Sequence, residues 1–462
     1  MGCAMTQKRG LFKIGTSMKG ANHFFKSYSH HWNGWSRSKE TQETAKNYFA
    51  GILLPGKRKN MSRISHRVSL DPNITQQFIT DSPWDPNGVM ATNVKIMSNK
   101  VANEEGILIV DDSGQSKKGK KSPGVGRQYS GTIGKTGNCQ VFVASWYGIP
   151  GINRNADTTY WPTGMRLYIP KDWFEERDRC EEAGLPADVD FQTKPEIALD
   201  LIFRVREIIP HRAVTSDTAY GTDGDFRQSL RDWKEPYVLA VKPSHISVIP
   251  EDTHLVPAKE KSGRGRPRKY LGFPKEIKAK TADVVASEIS DEDWQEVKWS
   301  EGTKGDLSAQ FSRKRVRVVK ANRATDETGW LLFEKTKHNE LKVYMCWGLD
   351  DASLEELVKI AHIRWVVEQG FKQMKRELGL DEFEGRKWQG WHHHVAMVMI
   401  AFCYLMLLRV EGNPSGDKLP TLPKVRREFA YIFFRRIYEI KLNLSQEEVD
   451  EFLEEYPILI PE

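Results

Sequence analysis

Short apolar runs punctuated by Gly, Pro and Asp dominate the chain between residues 101 and 243. The clearest is Ile107–Val110, an apolar run held between Gly and Asp, which is typical of a buried strand. Between such runs, Pro195–Ile209 repeats apolar residues at helical spacing, and Asp225–Trp233 is a second predicted helix. Strands interleaved with helices predict a mixed sheet with helices packed on it. The predicted strands are Ile107–Val110, Gln140–Tyr147, Met165–Ile169, Ala213–Asp217 and Tyr237–Val241.

The regions on either side of this centre have different patterns. Residues 1–100 show no strand-like alternation, and Thr41–Leu54 and Ile74–Thr80 are predicted helices separated by Pro and Gly. Aromatic residues and cations are interspersed here, so DNA contact by a small helical domain and ordinary helical packing are equally open. Residues 244–350 begin with a Gly/Arg/Pro-rich loop and continue with β-rich segments such as Arg315–Val319. This change of pattern indicates an inserted domain.

Helical periodicity resumes at Ser353, whose position three residues before Glu356 favours an N-cap. The predicted helix runs to Leu378, where Gly379 favours termination. A following helix, Trp391–Arg409, contains an apolar run of fourteen residues. That run is too short to span a bilayer and predicts a buried helix.

Composition indicates the class of protein, and the distribution of charge indicates its kind of binding partner. The 462 residues are 39% hydrophobic and 28% charged, which is typical of a soluble globular protein with two to four domains. The net charge of +7 is concentrated: Gln115–Lys135 holds six Lys or Arg and no acid, and residues 258–281 hold nine against two Glu. Such clusters favour a polyanionic partner. Lys424–Lys441 predicts an amphipathic basic helix, for which DNA contact and docking on the protein are equally open.

The cysteines and the N-terminus indicate the compartment. Five cysteines are widely spaced and form no CxxC pair, so neither a zinc site nor a disulfide framework is indicated. The N-terminal segment has no apolar stretch typical of a signal peptide. The expected environment is therefore a reducing cytoplasm.

Acidic residues end two of the predicted strands. Asp111 and Asp112 follow the first, and Asp217 ends the strand that begins at Ala213. In α/β folds, sites collect at the carboxyl ends of strands, so these carboxylates are expected to lie together. Glu368 lies on the later predicted helix. The resulting set of hard oxygen donors, without His or Cys, favours Mg²⁺ or Mn²⁺ over zinc.

Glu368 is accompanied by cations on its own helix. At about 100° per residue, Arg364, Lys372 and Lys375 fall on the same face as Glu368. Two metal ions about 3.5–4 Å apart can activate a water or 3′-hydroxyl and stabilise the leaving oxygen of a phosphodiester, while nearby cations neutralise phosphates. For each of these acidic residues a purely structural role is the alternative to metal binding. An Asp at a strand end is more often a turn or cap former, and Arg364–Glu368 and Glu368–Lys372 have the spacing of ordinary surface ion pairs.

Taken in order, these residues resemble the DDE transposases of bacterial and archaeal insertion sequences, in particular the insertion sequence 4 superfamily in its 701-like branch. The signature of that superfamily is Tyr, two residues, Arg, three residues, Glu, six residues and Lys. Arg364, Glu368 and Lys375 keep this spacing, whereas Ala361 occupies the Tyr position. The resemblance covers roughly residues 45–410. Other matching segments are Asp111–Gly114, Gly126–Gly131, Gly134–Lys135, Asn138–Gln140, Ser216–Gly221 and Leu378–Asp381.

The resemblance implies an α/β, RNase H-like catalytic fold whose mixed sheet is flanked by helices and interrupted by a β-rich insertion domain. It implies DNA nicking by water and then strand transfer by the freed 3′-hydroxyl, with two Mg²⁺ ions, or Mn²⁺, as cofactors. The implied catalytic and metal-binding residues are Asp111, Asp217 and Glu368. Asp111 is favoured because it directly follows the apolar run, while Asp112 stays open as a metal ligand. The expected regions are an N-terminal helical, DNA-binding domain at 1–100, a first catalytic part at 101–243, the β-rich insertion with its basic loop at 244–350, a second catalytic part carrying Glu368 at 351–410 and a helical tail at 411–462.

Cations near these acids are expected to contact DNA phosphates, which position the duplex without reading its sequence. Ser262–Lys269 also resembles an AT-hook, an extended Arg-Gly-Arg-Pro segment that can lie in a narrow A·T minor groove. A solvated basic loop is the alternative for this segment. The residues expected to contact DNA are Arg364, Lys372, Lys375, Lys117, Lys118, Lys120, Lys121, Arg127, Lys135, Arg264, Arg266 and Arg268.

The implied partners are double-stranded DNA, as transposon terminal inverted repeats and as target, and a second copy of the chain to form a homodimer on DNA. The expected location is the nucleoid-associated cytoplasm of a prokaryote, without membrane association. Three alternatives stay open: a nuclease without strand transfer, a domesticated relative that binds DNA but does not cut it, and a basic architectural DNA binder. The presence of all three acids disfavours the domesticated relative.

Overall fold

The computed structural model describes residues 38–56, 58–131, 134–151, 158–256, 271–302, 305–412 and 419–431, with residues 445 and 448. The basic loop predicted to carry Arg264, Arg266 and Arg268 lies outside these described residues. So does most of the basic helix predicted at Lys424–Lys441.

Twelve strands of the described chain form one mixed sheet. Its order is β2-β3-β1-β5-β6-β12-β11-β10-β7-β8, with β4 paired to β3 and β9 paired to β10. The strands are β1 Ile107–Ser116, β2 Gly126–Ser130, β3 Lys135–Ile149, β4 Thr159–Tyr168, β5 Ala213–Ser216, β6 Tyr237–Val241, β7 Ser247–Pro250, β8 Lys280–Thr281, β9 Gln295–Gly302, β10 Gly305–Lys320, β11 Arg323–Lys335 and β12 Leu341–Trp347.

Helices flank this sheet, and several begin where the sequence provides a cap. Asp85 accepts hydrogen bonds from the first turn of a helix that starts with Pro86, and Thr193 forms a capping box with Glu196. The α-helices are α1 Lys39–Leu53, α2 Met61–Arg67, α3 Pro72–Thr80, α4 Pro86–Val101, α5 Arg177–Glu182, α6 Lys194–Phe203, α7 Thr218–Gly221, α8 Gly224–Asp232, α9 Ala282–Ser287, α10 Leu354–His362, α11 Trp365–Leu378 and α12 Trp388–Glu411. Short 3₁₀ turns lie at Lys171–Glu175, Pro243–His245 and Asp291–Asp293.

The centre of the sheet is parallel, and its margins are antiparallel. Strand β5 runs parallel to both β1 and β6, whereas β3 and β12 run antiparallel to their neighbours β1 and β6. Ile107–Val110 on β1 is fully buried, as expected for a strand covered on both faces. The predicted mixed α/β sheet with flanking helices is confirmed.

Strands from residues 244–350 continue the same sheet. Trp347 of β12 lies opposite Tyr237 of β6, and β11 and β10 follow in order. The β-rich character predicted for this stretch is therefore present, and these strands share the hydrogen-bonded sheet of the central region. The boundary of an insertion domain stays a prediction.

The helices before β1 pack around α12. Among the described residues, α12 is the one helix long and apolar enough to cross a membrane by length and composition. However, 94% of its most apolar segment is buried inside the protein. Helices α1, α3 and α4 all contact it. The buried helix predicted at Trp391–Arg409 is thus present and extends a few residues at either end.

The predicted continuous helix from Ser353 to Leu378 is wrong in its middle. Helix α10 ends at His362 and α11 begins at Trp365. The amides of Val366 and Val367 bond to carbonyls three residues earlier, which is a tight 3₁₀-type turn. The predicted ends are correct, because Ser353 caps α10 and Gly379 closes α11 with φ of 75°.

Candidate active site

Two aspartates meet at the carboxyl end of the parallel strand pair β1 and β5. Val110 lies opposite Ser216 in the register, and the parallel pairing ends there. Asp111 and Asp217 are the next residues: Asp111 continues β1 opposite Ala144 of β3, whereas Asp217 leaves β5 and begins α7. The Asp217 carboxylate accepts a hydrogen bond of 2.9 Å from the amide of Ala219 and thereby caps α7. Asp217 is thus both a cap former and a neighbour of Asp111.

Glu368 is joined to this pair by Arg364. The Arg364 guanidinium donates to Asp111 Oδ2 at 2.7 Å and to Glu368 Oε1 at 3.0 Å. The tight turn before α11 places Arg364 at the start of the helix, where its guanidinium reaches Asp111 in the middle of β1. The i,i+4 ion pair between Arg364 and Glu368 is present, and the same guanidinium also binds the buried Asp111.

The three acids differ in their exposure to solvent. The Asp111 side chain retains 15% of its accessible surface, whereas Glu368 retains 65%. Burial raises the pKa of the Asp111 carboxyl to about 7; Arg364 opposes this rise, and the negative charges of Asp217 and Asp112 add to it. Burial also raises the pKa of Asp217. A further positive charge at this edge would favour the ionised form of both carboxylates.

Asp112 faces away from Glu368. Successive side chains of a strand point to opposite sides of the sheet, and Asp112 Oδ2 accepts from Lys194 Nζ of α6 at 2.8 Å. Burial of Tyr220, helped by the charges of Asp112 and Asp111, raises the pKa of its hydroxyl. Asp111 and Asp112 thus contact different layers of the protein.

Lys194 and Tyr220 belong to the surroundings of the acids and were not predicted as site residues. Tyr220 lies three residues after Asp217, within a segment that carried the family resemblance, but its burial could not be inferred from that pattern. Lys194 is far from Asp112 in sequence, and its place in the first turn of α6 gives no indication of a partner on β1.

The end of β1 is also bound to α11 and the turn after it. Lys375 Nζ donates to Ser113 Oγ at 2.9 Å and to the Gly114 carbonyl at 3.2 Å. Lys117 Nζ donates to the Phe383 carbonyl at 2.8 Å. Lys375 and Lys117, both predicted to contact DNA, are therefore engaged inside the protein in this structure.

The other predicted DNA-binding cations lie mostly in solvent. Lys121 forms an exposed ion pair with Glu182 at 3.6 Å. The remaining ones are exposed and form no ion pair with any other described residue; they are Lys118, Lys120, Arg127, Lys135 and Lys372.

The donor set suits a hard divalent cation. Asp111, Asp217 and Glu368 offer only carboxylate oxygens, and the Arg364 guanidinium stands where positive charge is needed between two of them. Within the described part of the chain, no three His, Cys, Asp or Glu side chains converge closely enough to hold an ion without rearrangement. Glu368 is largely exposed, so its carboxylate is the one of the three with the most room to change its rotamer.

Comparison with known proteins gives two findings. Residues 33–306 match the family described as DDE superfamily endonuclease. The chain is also 26% identical to the probable transposase for insertion sequence element IS701 from Microchaete diplosiphon, over 344 residues that make up 74% of this chain and 76% of that protein. The family match includes Asp111 and Asp217 and ends before Glu368. Both findings agree with the resemblance drawn from the sequence motifs.

Proposed function

We propose, since the chain belongs to the DDE superfamily endonucleases, that it is a DNA transposase that nicks transposon ends with water and joins the freed 3′-hydroxyl to target DNA. One observation carries this proposal: Arg364 bridges Asp111 and Glu368 at the strand edge where Asp217 also lies. Three acids that are far apart in sequence are thereby neighbours on an RNase H-like arrangement of strands.

Enzymes of this superfamily use divalent metal ions. In this chain Asp111, Asp217 and Glu368 would hold them, and this all-carboxylate donor set favours Mg²⁺, with Mn²⁺ as a substitute. We propose two ions, as the phosphodiester chemistry of a two-metal site would require. When bound, such ions would activate the attacking water or 3′-hydroxyl and stabilise the leaving oxygen. Asp112 is proposed to support the site from the other face of β1, because its carboxylate is paired with Lys194.

The cations of α11 would orient the DNA. Lys372 lies one helical turn beyond Glu368 and is exposed, so its ammonium is free to bind a phosphate beside the scissile bond. If Asp111 and Glu368 held metal ions instead of Arg364, its guanidinium would be available as a second donor to the DNA backbone. Lys375 holds the end of β1 through Ser113 and Gly114, so its proposed contribution is to fix Asp111 as well as to approach DNA.

The proposed partners are double-stranded terminal repeats and target DNA, acted on by a homodimer because two ends are processed together. The experiment that tests the function uses duplexes carrying the inverted repeats that flank the gene. With Mg²⁺ or Mn²⁺, the protein should produce nicks with 3′-hydroxyl ends and joined products, and EDTA should abolish both. Asp217→Asn and Glu368→Gln should each lower nicking by about a thousandfold or more, because each removes several kcal/mol of metal-mediated stabilisation.

A matched control shows whether loss of nicking is specific to the site or follows from removing any carboxylate. Asp225 is an exposed aspartate whose nearest cation is Lys320 at 3.6 Å, and Asp225→Asn should nick like wild type. Nicking by Asp217→Asn or Glu368→Gln at the wild-type rate would refute the site. Nicks without joined products would identify a nuclease that lacks strand transfer.

A further inference from the structure

The β2–β3 hairpin exposes an aromatic ring among unpaired cations. Tyr129 is 63% exposed, the largest value for any large hydrophobic side chain among the described residues. Arg127, two residues earlier on β2, is also exposed and forms no ion pair with another described residue. The sequence holds no Asp or Glu between residues 113 and 156. An exposed ring in so basic a surface matches the chemistry of a nucleic acid.

Strand register places this ring on the same face of the sheet as Asp111. Asp111 lies opposite Ala144 of β3, and alternate residues of β3 share its face. The register of β2 then sets Arg127 opposite Asn138 and Tyr129 opposite Thr136, both an even number of positions from Ala144. Arg127 and Tyr129 are therefore on the side of the sheet that carries the catalytic carboxylates.

Helix α11 carries an exposed stripe that begins at Glu368 and extends about 12 Å along the helix. Its exposed positions recur every four residues at Glu368, Lys372 and Arg376. The helix runs from Asp111, which Arg364 contacts, toward Ser113 and Gly114, which Lys375 contacts, so it follows β1 toward the hairpin. Neither Lys372 nor Arg376 pairs with an acid among the described residues.

The turn after α11 contains acids beside this path. Asp381 and Glu384 lie near the Lys117 ammonium, whose pKa burial lowers to about 8 while these two acids oppose the change. Their charge is thus partly compensated within the protein. The exposed cations Lys372 and Arg376 of α11 and Arg127 of the hairpin have no such compensating acid among the described residues.

Distance along the strand gives the position on DNA. Eight residues of β3 separate Ala144 from Thr136, the partners of Asp111 and Tyr129. At about 3.4 Å per residue this is roughly 27 Å. For a duplex whose axis runs along β3, base pairs also rise about 3.4 Å each, so the same span corresponds to about eight base pairs.

We propose that the β2–β3 hairpin binds the transposon-end duplex about eight base pairs from the cleaved phosphate, with the Tyr129 ring packed against a deoxyribose of the backbone and Arg127 on the adjoining phosphate. This inference rests on the proposed function, because Asp111 fixes the position of the cleaved phosphate. Duplex DNA is the occupant because a protein partner for this face would need acidic residues opposite cations and would not explain the stripe leading to Glu368.

Binding is measured by fluorescence anisotropy in Ca²⁺ with labelled duplexes of about 6 and 14 base pairs that end in the inverted repeat flanking the gene. Only the longer duplex reaches the hairpin, so wild type should bind it at least about tenfold more tightly. Tyr129→Ala should lose about tenfold on the longer duplex, because the apolar contact of the ring with the DNA backbone is removed, and nothing on the shorter one. Tyr129→Phe should retain wild-type affinity because the ring remains.

Arg127→Gln should lower the slope of log affinity against log salt by about 0.9, the value for one phosphate contact. The matched controls are Phe203→Ala, an aromatic 57% exposed on α6, and Lys337→Gln, an exposed cation in the turn between β11 and β12, and both should bind like wild type. Parallel nicking assays in Mg²⁺ keep the two hypotheses apart. If wild type nicks but Tyr129→Ala keeps the full gain on the longer duplex, the hairpin contact is refuted and the function stands. If wild type does not bind or nick the duplex, both are refuted.

Discussion

Two adjacent aspartates at the end of β1 have different partners. Strand alternation alone predicts that Asp111 and Asp112 point to opposite faces, but it does not say which face holds Glu368. The structure pairs Asp111 with Arg364 and Asp112 with Lys194. The preference for Asp111 as a metal ligand therefore gains support, although its role stays a proposal.

At the level of single residues, we expect Asp111→Asn and Asp112→Asn to differ sharply. Asp111→Asn should lower nicking by about a thousandfold or more, as expected for a lost metal ligand. Asp112→Asn should cost about tenfold or less, and Lys194→Gln should have the same effect, since either change breaks one ion pair. The double variant should be no worse than either single one, because the two side chains act as a unit. Equal losses for Asp111→Asn and Asp112→Asn in single-turnover nicking assays would contradict this division.

Elements were predicted well where one local pattern decides the outcome. The buried run Ile107–Val110 is a strand, and Ser353 and Gly379 mark helix ends as expected. The break before Trp365 was missed because Ile363 and Arg364 keep helical backbone angles, so the apolar periodicity continues through the turn. The tight turn before Trp365 brings Arg364 into contact with Asp111 of β1, and this long-range contact is not visible in the sequence.

A buried charge network joins α8 to β11 and could not be predicted, because its members are far apart in sequence. Glu327 of β11 accepts from Arg227 at 2.7 and 3.2 Å and from the Tyr237 hydroxyl at 2.6 Å. Arg227 also donates to the Gly221 carbonyl at 2.8 Å, at the end of the helix that Asp217 caps. Strand β11 thereby supports the loop that carries Asp217.

At the level of secondary-structure elements, we expect Glu327→Gln to be strongly destabilising. The change leaves the buried guanidiniums of Arg227 and Arg231 without their shared carboxylate, which should lower the free energy of unfolding by about 3–5 kcal/mol. Glu288→Gln removes an exposed pair with Lys280 and should cost about 1 kcal/mol or less. Urea denaturation followed by tryptophan fluorescence measures both. A similar small loss for the two variants would show that the buried network contributes little.

For the whole molecule, the predicted family is confirmed, because a DDE transposase of the 701-like branch is what the family match and the similar transposase support. Spacing in sequence sufficed for this, since Arg364, Glu368 and Lys375 retain the family pattern. It did not reveal that the strands of residues 244–350 join the central sheet through β12 and β6. That pairing depends on register between distant segments, which no local pattern encodes.

Charge distribution over the whole chain gives the last prediction. Residues 258–281 hold nine Lys or Arg against two Glu, and the predicted AT-hook lies within this stretch. If Arg264 and Arg266 each neutralise a DNA phosphate, replacing both with Ala should lower the slope of log affinity against log salt by about 1.8 and weaken binding at every salt concentration. Lys280→Gln is the control from the same stretch, because its ammonium is bound to Glu288 at 2.7 Å and should leave the slope unchanged. Anisotropy titrations between about 50 and 200 mM salt measure the slope. An unaltered slope in the double variant would mean that this loop is solvated in the complex and that the phosphate contacts come from other cations of the chain.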